Sequence, residues 1–101
     1  MRTIVFFDLP IKTPSEKREY RRFRKVLIKN GFVMMQKSVY SKLVMNATAQ
    51  KSLAKTLRKE VPAVGTVQML TITEKQYAGI SFIAGSGTSD VVDSTERVIF
   101  L

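Results

Sequence analysis

The sequence has no cysteine and no histidine among its 101 residues. Without cysteine, a disulfide framework and a thiolate metal site are excluded. Without histidine, the commonest general base and the commonest zinc ligand are missing. A metal would therefore have to be a hard ion such as Mg²⁺, held by oxygen atoms. No apolar run approaches the roughly 20 residues that a membrane-spanning helix needs, so we expect a cytoplasmic protein that binds no membrane.

Acidic residues are also scarce, and the charge is unevenly distributed. The chain has 8 Asp and Glu against 17 Lys and Arg, a net charge of +9. Residues 1–60 hold 15 of the 17 cations but only 4 of the 8 acids. A basic protein that adsorbs to any acidic surface is one interpretation. A polyanionic partner explains the uneven distribution better, and nucleic acid is the obvious polyanion.

The apolar pattern predicts strands alternating with helices in one globular domain. Hydrophobic residues make up 45% of the chain, which is too many for a disordered protein. The predicted elements are a strand over 2–8, a helix from Thr13 or Ser15 to Asn30–Gly31, a long strand over 32–44 with room for a bulge, a helix over 47–60 capped by Asn46 or Thr48, a strand over 66–73, a turn or short helix over 74–77, a short strand over 80–84, a flexible linker over 85–90 and a terminal strand over 97–101.

The predicted fold class is α+β, a ferredoxin-like βαββαβ sandwich. Residues 1–80 form its core, and residues 81–101 add the short strand, the linker and the C-terminal strand to the same domain. Two helices cover only one face of such a sheet, yet the strand over 2–8 is apolar on both faces. A homodimer joined sheet to sheet would cover the other face, and the C-terminal strand could pair with the partner's sheet edge.

The first helix has an apolar stripe and a basic face. The stripe consists of Tyr20, Phe23, Val26 and Leu27. The opposite side carries five cations with no compensating acid among them, a repulsive arrangement that a polyanion would relieve. A solvated basic face is the alternative interpretation. Including two cations outside the helix, the predicted nucleic-acid-binding residues are Lys12, Arg18, Arg21, Arg22, Lys25, Lys29 and Lys37.

Asp8 is the one acid that closes an apolar strand. Taken alone, it could be a turn-forming residue that accepts backbone N–H bonds before Pro10. Alternatively, a twofold dimer could bring two Asp8 side chains together around a shared Mg²⁺. Such an ion could activate water and hold a phosphodiester, which would make Asp8 both a metal ligand and a catalytic residue.

A polar run, Gln36-Lys37-Ser38-Val39-Tyr40, lies within the predicted long strand. Strand alternation puts Gln36, Ser38 and Tyr40 on one face, and Lys37 and Val39 on the other. The run is either an ordinary half-polar strand or a polar patch near Asp8 that can reach phosphate.

Several segments in combination resemble the second family of CRISPR-associated adaptation proteins, and most closely its type II-A branch. These segments are Phe7-Asp8-Leu9-Pro10, the basic first helix, Gly31-Phe32, Gln36 to Lys42, Leu70 to Tyr77, and Arg97-Val98-Ile99-Phe100-Leu101. The resemblance implies a ferredoxin-like homodimer with a swapped C-terminal strand. It also implies a bridge between dimers of an integrase, the first CRISPR-associated protein, in a complex that inserts short duplex DNA as a spacer. No small-molecule substrate is expected.

The resemblance also implies a second activity for some members, Mg²⁺-dependent endonuclease cleavage of RNA or DNA, with Asp8 as the matching metal ligand. Members with this activity often carry an arginine two positions before the glutamine of the polar run, where this sequence has Met34. The preferred hypothesis is therefore a DNA-bridging adaptor, with the endonuclease as the alternative. A general RNA-binding module is a further alternative, which would need exposed aromatic residues on its central strands.

Overall fold

The chain folds as βαββαβ followed by a short third helix. The computed structural model describes residues 1–85. Its elements are β1 (Arg2–Asp8), α1 (Pro14–Lys29), β2 (Val33–Gln36), β3 (Val39–Leu43), α2 (Ala47–Arg58), β4 (Thr66–Ile72) and α3 (Glu74–Ala78). The four strands form one sheet in the order β2-β3-β1-β4, and all neighbouring strands are antiparallel. This is the ferredoxin-like α+β arrangement, so the predicted fold class is confirmed.

The predicted long strand over 32–44 is wrong, because it is a hairpin. The chain turns at Lys37 and Ser38 between β2 and β3. Ser38 adopts a left-handed backbone conformation with φ of 65°, which closes the turn without the glycine or asparagine that usually signals one. The pairing of β2 with β3 shifts register between Met34 and Gln36. The hairpin supplies the two consecutive strands of the βαββαβ order.

The predicted short strand over 80–84 is also wrong. Thr73 caps α3 in a reciprocal capping box with Gln76, and the helix ends at Gly79. Residues 80–85 then form no strand, and Ile80 and Phe82 remain exposed. An apolar run forms a strand only where a neighbouring strand can pair with it. The predicted linker beyond residue 85 and the C-terminal strand over 97–101 lie outside the described residues.

The helix boundaries follow the predicted capping signals. Thr13 is the N-cap of α1, and Glu16 returns the bond in a capping box. Asn30 is the C-cap, as the Asn-Gly pair predicts. The side chain of Asn46 caps α2 by accepting a bond from Ala49 N at 2.8 Å. Local sequence therefore fixes where both long helices begin.

The core lies between the helices and one face of the sheet. Phe7 is at its centre: its ring meets that of Phe23 edge-on at 5.4 Å and stacks on Tyr40 at 5.9 Å. Phe23 and Leu27 of α1 are fully buried, as the predicted stripe requires. The other core residues are Val5, Leu9, Phe32, Val44, Leu53 and Leu57. Odd-numbered residues of β1 thus face the helices.

The opposite face of the sheet, here called the open face, is apolar, and no element within residues 1–85 covers it. Even-numbered residues of β1 point there, among them Ile4 and Phe6, which are only half-buried. The registers align Ile4 with Leu70 of β4 on one side and with the row of Ser41 and Val33 on the other. Leu70 and Val33 are 52% and 68% exposed. The strand over 2–8 is therefore apolar on both faces, and the described elements cover only one of them.

Candidate nucleic-acid interface

Asp8 lies at the end of β1, with its side chain exposed to solvent. It pairs with Thr66 across the sheet, at the start of β4. Just before Thr66, the backbone at Gly65 passes close to Asp8 and Leu9. A Cβ atom on Gly65 would lie 2.8 Å from the Asp8 carbonyl oxygen and 2.6 Å from the Leu9 Cδ2 atom. Gly65, with φ of +107°, is therefore the residue that lets the β4 entry pack against the Asp8 backbone.

Within residues 1–85, the surroundings of Asp8 do not form a complete metal site. None of the three salt bridges found among the described residues involves Asp8. Residues 1–85 contain no cluster of three or more acidic, histidine or cysteine side chains that could hold a metal ion. Mg²⁺ is often held by one or two carboxylates, with water and substrate phosphate completing its shell. Asp8 fits that sparse mode, provided that a second molecule brings a second carboxylate.

Most of the predicted cations are exposed and surround α1. Arg18, Arg21, Lys25 and Lys29 project from the helix side that faces away from the core. Lys12 is exposed in the loop before α1, and Lys37 is exposed in the β2–β3 turn. These positively charged side chains form a basic surface on the helix side of the sheet, opposite the open face.

Arg22 differs from the other predicted cations because acids compensate its charge. Its Nη2 atom lies 3.1 Å from a carboxylate oxygen of Glu19, and its Nη1 atom lies 3.5 Å from a carboxylate oxygen of Glu60. The Nη2 atom also donates to the Glu60 backbone carbonyl at 2.8 Å. The hydrogen bonds to Glu19 raise the pKa of Arg22 further above its usual value. The expectation of a face without compensating acids is therefore wrong at Arg22, which ties α1 to the end of α2.

The polar run around Ser38 is close to Asp8, but not on the faces that strand alternation predicts. Ser38 belongs to the turn, and its carbonyl accepts a bond from Phe7 N at 3.1 Å. Ser38 therefore lies beside the residue that precedes Asp8. Tyr40 is buried on the helix side, where its hydroxyl contacts Arg24 Nε at 2.9 Å. The predicted faces are wrong because the run is not one strand: the turn at Lys37 and Ser38 separates Gln36 of β2 from Tyr40 of β3.

Two cations of α1 were missed by the sequence analysis. Arg24 reaches the hydroxyl of Tyr40. Lys17 lies beside Arg21, Tyr20 and Lys37 around a small cleft. Lys17, Arg21 and Arg24 follow the spacing of one helix flank, a signal that the sequence contains. The sequence does not show where the β2–β3 turn lies in the fold. That position places Lys37 and Ser38 beside this flank of α1.

Comparison with known proteins identifies the family. A model of "CRISPR associated protein Cas2" matches residues 1–80. The chain belongs to the Cas2 family. It is 50% identical over all 101 residues to the CRISPR-associated endoribonuclease Cas2 of Treponema denticola, with both chains covered completely. It is 41% identical to the protein of that name from Streptococcus mutans, covering 100% of this chain and 93% of the relative.

Solved Cas2 structures share the fold. A crystal structure of Streptococcus pyogenes Cas2 at pH 6.5 matches with a TM-score of 0.65 and 15% sequence identity, over 83% of this chain and 100% of that one. A second Cas2 crystal structure matches with a TM-score of 0.53 and 19% identity, over 98% of each chain. Both matches support the ferredoxin-like Cas2 fold.

No helix in the described part of the chain is long and apolar enough to cross a membrane. This finding agrees with the absence of a long apolar run in the sequence.

Proposed function

We propose that this Cas2 chain is a homodimeric adaptor of CRISPR spacer acquisition in the cytoplasm. It joins dimers of the CRISPR-associated integrase and holds duplex DNA between them. The observation that carries the proposal is the basic surface around α1, where Arg18, Arg21, Lys25 and Lys29 are all exposed. Cations in this arrangement grip DNA by its phosphates and release condensed counterions, without reading base sequence. An adaptor that accepts spacers of any sequence needs this kind of binding.

The open face supports the homodimer. Val33, Leu43 and Leu70 are all more than half exposed, and they lie on the same side of one sheet. A contiguous apolar surface of this kind is uncommon on a monomer. Two copies related by a twofold axis would bury it, because a self-complementary patch meets its own copy. The basic surface lies on the helix side, so it would stay accessible on both outer faces of such a dimer.

The first experiment tests assembly. The protein is mixed with the CRISPR-associated integrase of the same organism, with and without a short DNA duplex. The products are analysed by size-exclusion chromatography with light scattering. The expected result is a defined complex of one Cas2 dimer with integrase subunits, stabilised by the duplex. Failure to form any complex under either condition would contradict the adaptor function.

The second experiment separates DNA binding from chemistry. A variant with Arg18, Arg21 and Lys25 reversed to glutamate should lose spacer acquisition, because the grip on phosphates becomes repulsive. The matched Asp8→Asn variant should keep acquisition, since the adaptor needs no carboxylate at that position. Loss of acquisition in Asp8→Asn, while the variant still folds and binds DNA, would rule out a purely non-catalytic role.

A metal-dependent endonuclease is the second candidate. It is favoured by the exposed position of Asp8 at the strand end and by the name "endoribonuclease" that the Treponema and Streptococcus relatives carry. Two Asp8 carboxylates across a dimer axis would hold Mg²⁺, which supplies charge stabilisation for phosphodiester cleavage. Residues of this chain would bind and orient the nucleic acid. Cleavage of labelled RNA or DNA should then require Mg²⁺ and disappear in Asp8→Asn, whereas cleavage that persists in EDTA would refute this candidate.

The RNA-binding alternative has little support. Base stacking needs aromatic side chains exposed on the central strands. Within β1–β4, Phe6 is the one aromatic residue on the open face, since Phe7 and Tyr40 point into the core.

A further inference from the structure

A small cleft with three cations lies between the first half of α1 and the β2–β3 turn. Its volume is about 240 Å³, and it is lined by Ile11, Lys17, Tyr20, Arg21 and Lys37. None of the salt bridges found within residues 1–85 engages Lys17, Arg21 or Lys37. No acidic side chain is among the lining residues. The cleft therefore concentrates positive charge around a space that an anion can enter.

Two hydroxyl groups meet beside this cleft. The Tyr20 hydroxyl lies 2.9 Å from Ser38 Oγ, so one of the two groups donates a hydrogen bond to the other. Each hydroxyl has a single hydrogen. The pair uses one hydrogen internally and keeps the other available for an outside acceptor. A phosphate oxygen between the cations is an acceptor that would suit this free hydrogen.

The geometry of Ser38 suggests that its hydroxyl is used. Ser38 is the one residue other than glycine with positive φ within the described part of the chain. Glycine or asparagine would adopt this conformation more readily. The residue is held firmly, because its carbonyl bonds to Phe7 N in the central strand and its hydroxyl bonds to Tyr20. Backbone strain of this kind is often kept where a side chain has a function.

We propose that this cleft is a subsite for one backbone phosphate of the bound nucleic acid. Lys17, Arg21 and Lys37 neutralise the phosphate, and the Tyr20–Ser38 pair donates one directional hydrogen bond to it. The assignment rests on the proposed function, namely that this chain binds DNA. It adds Lys17, Tyr20 and Ser38 to the interface. It also distinguishes the contacts of the three cations from the contact of the neutral hydroxyl pair. Loss of a cation changes the salt dependence of binding, whereas loss of a hydroxyl changes only the affinity.

The test measures the affinity of the full-length protein for a fluorescein-labelled duplex by anisotropy at several salt concentrations. Each lost phosphate contact makes the slope of log K against log salt shallower by about 0.9. The triple variant Lys17→Gln, Arg21→Gln, Lys37→Gln should show this change, because the three cations share one phosphate, and Lys17→Gln and Lys37→Gln alone should each show a part of it. Ser38→Gly and Tyr20→Phe should lower affinity roughly two- to tenfold, the effect of one hydrogen bond, with no change in slope. Ser38→Gly suits the test because glycine accepts the left-handed turn.

Lys75→Gln is the matched control. It removes the same charge from α3, whose Glu74 contacts Arg2 at the start of β1. The cleft lies beside Phe7, about 17 Å further along that strand at roughly 3.3 Å per residue. The slope of this control should stay close to that of the wild type.

Three outcomes would decide against the proposal in different ways. If the wild type binds with a steep slope while Lys17→Gln and Lys37→Gln behave like Lys75→Gln, the cleft is not the subsite but the proposed function stands. If the wild type fails to bind duplex both alone and with integrase, the proposed function itself fails. If inorganic phosphate binds the wild type but not Lys17→Gln or Lys37→Gln, while the duplex slope of both variants matches that of Lys75→Gln, the cleft is a site for free phosphate instead.

Discussion

Replacing Gly65 with alanine should destabilise the protein strongly, through a defined contact. Gly65 has φ of +107°, and its added Cβ atom would lie 2.6 Å from Leu9 Cδ2 and 2.8 Å from the Asp8 carbonyl oxygen. Non-bonded atoms do not approach so closely, so something must move. The Asp8 carbonyl belongs to the end of the central strand and has no freedom to rotate away. The substitution therefore forces the β4 entry and the Asp8–Leu9 backbone apart.

The expected cost has two parts. A side chain in a left-handed conformation costs about 1–2 kcal/mol. Shifting packed backbone to relieve the overlap costs about 1–3 kcal/mol more. A total of about 3 kcal/mol is a large part of the 5–15 kcal/mol that stabilises a typical domain. For a chain of this size, each kcal/mol lowers Tm by about 4–8 °C, so the expected fall is about 12–24 °C.

Two other glycines provide matched controls. Gly79 has an ordinary φ of −84°, and its Cβ atom would meet nothing closer than 3.4 Å. Gly79→Ala should therefore be neutral or slightly stabilising. Gly31 has φ of +90°, but the nearest atoms to its Cβ belong to the end of the Lys42 side chain, at 3.3 Å, which needs to shift by only a few tenths of an ångström and can keep its bond to the Asn30 carbonyl. Gly31→Ala should show the conformational cost alone, about 1–2 kcal/mol.

The assay is urea and thermal unfolding of the three variants and the wild type. Protomer concentration must be the same throughout, because the apparent stability of an oligomer depends on it. Equal losses in Gly65→Ala and Gly31→Ala would refute the argument from the Asp8 contact. If both variants were as stable as Gly79→Ala, the argument from backbone strain would fail as well.

Three further predictions concern charge, assembly and the core. Arg22→Gln should lower the free energy of unfolding by about 0.5–1.5 kcal/mol, because its half-exposed ion pairs are individually weak. It should also change the salt slope of DNA binding less than Arg18→Gln does, and Arg18→Gln should make that slope shallower by about 0.9. Equal slopes for the two variants would contradict the role given to the acids around Arg22. Leu70→Glu should raise the dimer Kd by at least roughly 100-fold, since a buried unpaired carboxylate costs several kcal/mol. Light scattering measures this change, with Met45→Glu as the control because Met45 is outside the sheet and 86% exposed. An unchanged dimer in Leu70→Glu would place the interface elsewhere. Phe23→Ala should lose about 3–5 kcal/mol in urea unfolding, and a loss below about 1 kcal/mol would contradict its complete burial.

The helices were predictable because their signals are local. Thr13, Glu16 and Asn46 act within one helical turn, and they set the helix starts wherever the rest of the chain lies. The apolar stripe of α1 likewise needs only the helical repeat, and Phe23 and Leu27 are buried as the stripe predicts.

The strands were harder to predict because a strand depends on its partners. The residues over 32–44 are rich in strand-forming types throughout, and only the left-handed Ser38 breaks them into two strands. The apolar run near residue 80 has the composition of a strand but forms none in the described chain. In both cases the pairing between strands decides the outcome, and the strand-forming composition of the segment does not.

The candidate site divides in the same way. The charge excess in residues 1–60 and the position of Asp8 at a strand end were evident from the sequence. The partnership of Arg22 with Glu60, which is 38 residues away, was not. Nor was the meeting of Lys17 and Tyr20 with the Lys37–Ser38 turn.

The sequence by itself thus determined the fold class, the helices, the surplus of positive charge and the family resemblance, because composition, capping and periodicity act over short distances. The tertiary structure decided which cations pair with acidic side chains, which remain able to bind phosphate, and which hydroxyl groups lie beside them. Those properties depend on contacts between residues far apart in the chain, and only the packing of α1 against the sheet and the β2–β3 turn brings these residues together.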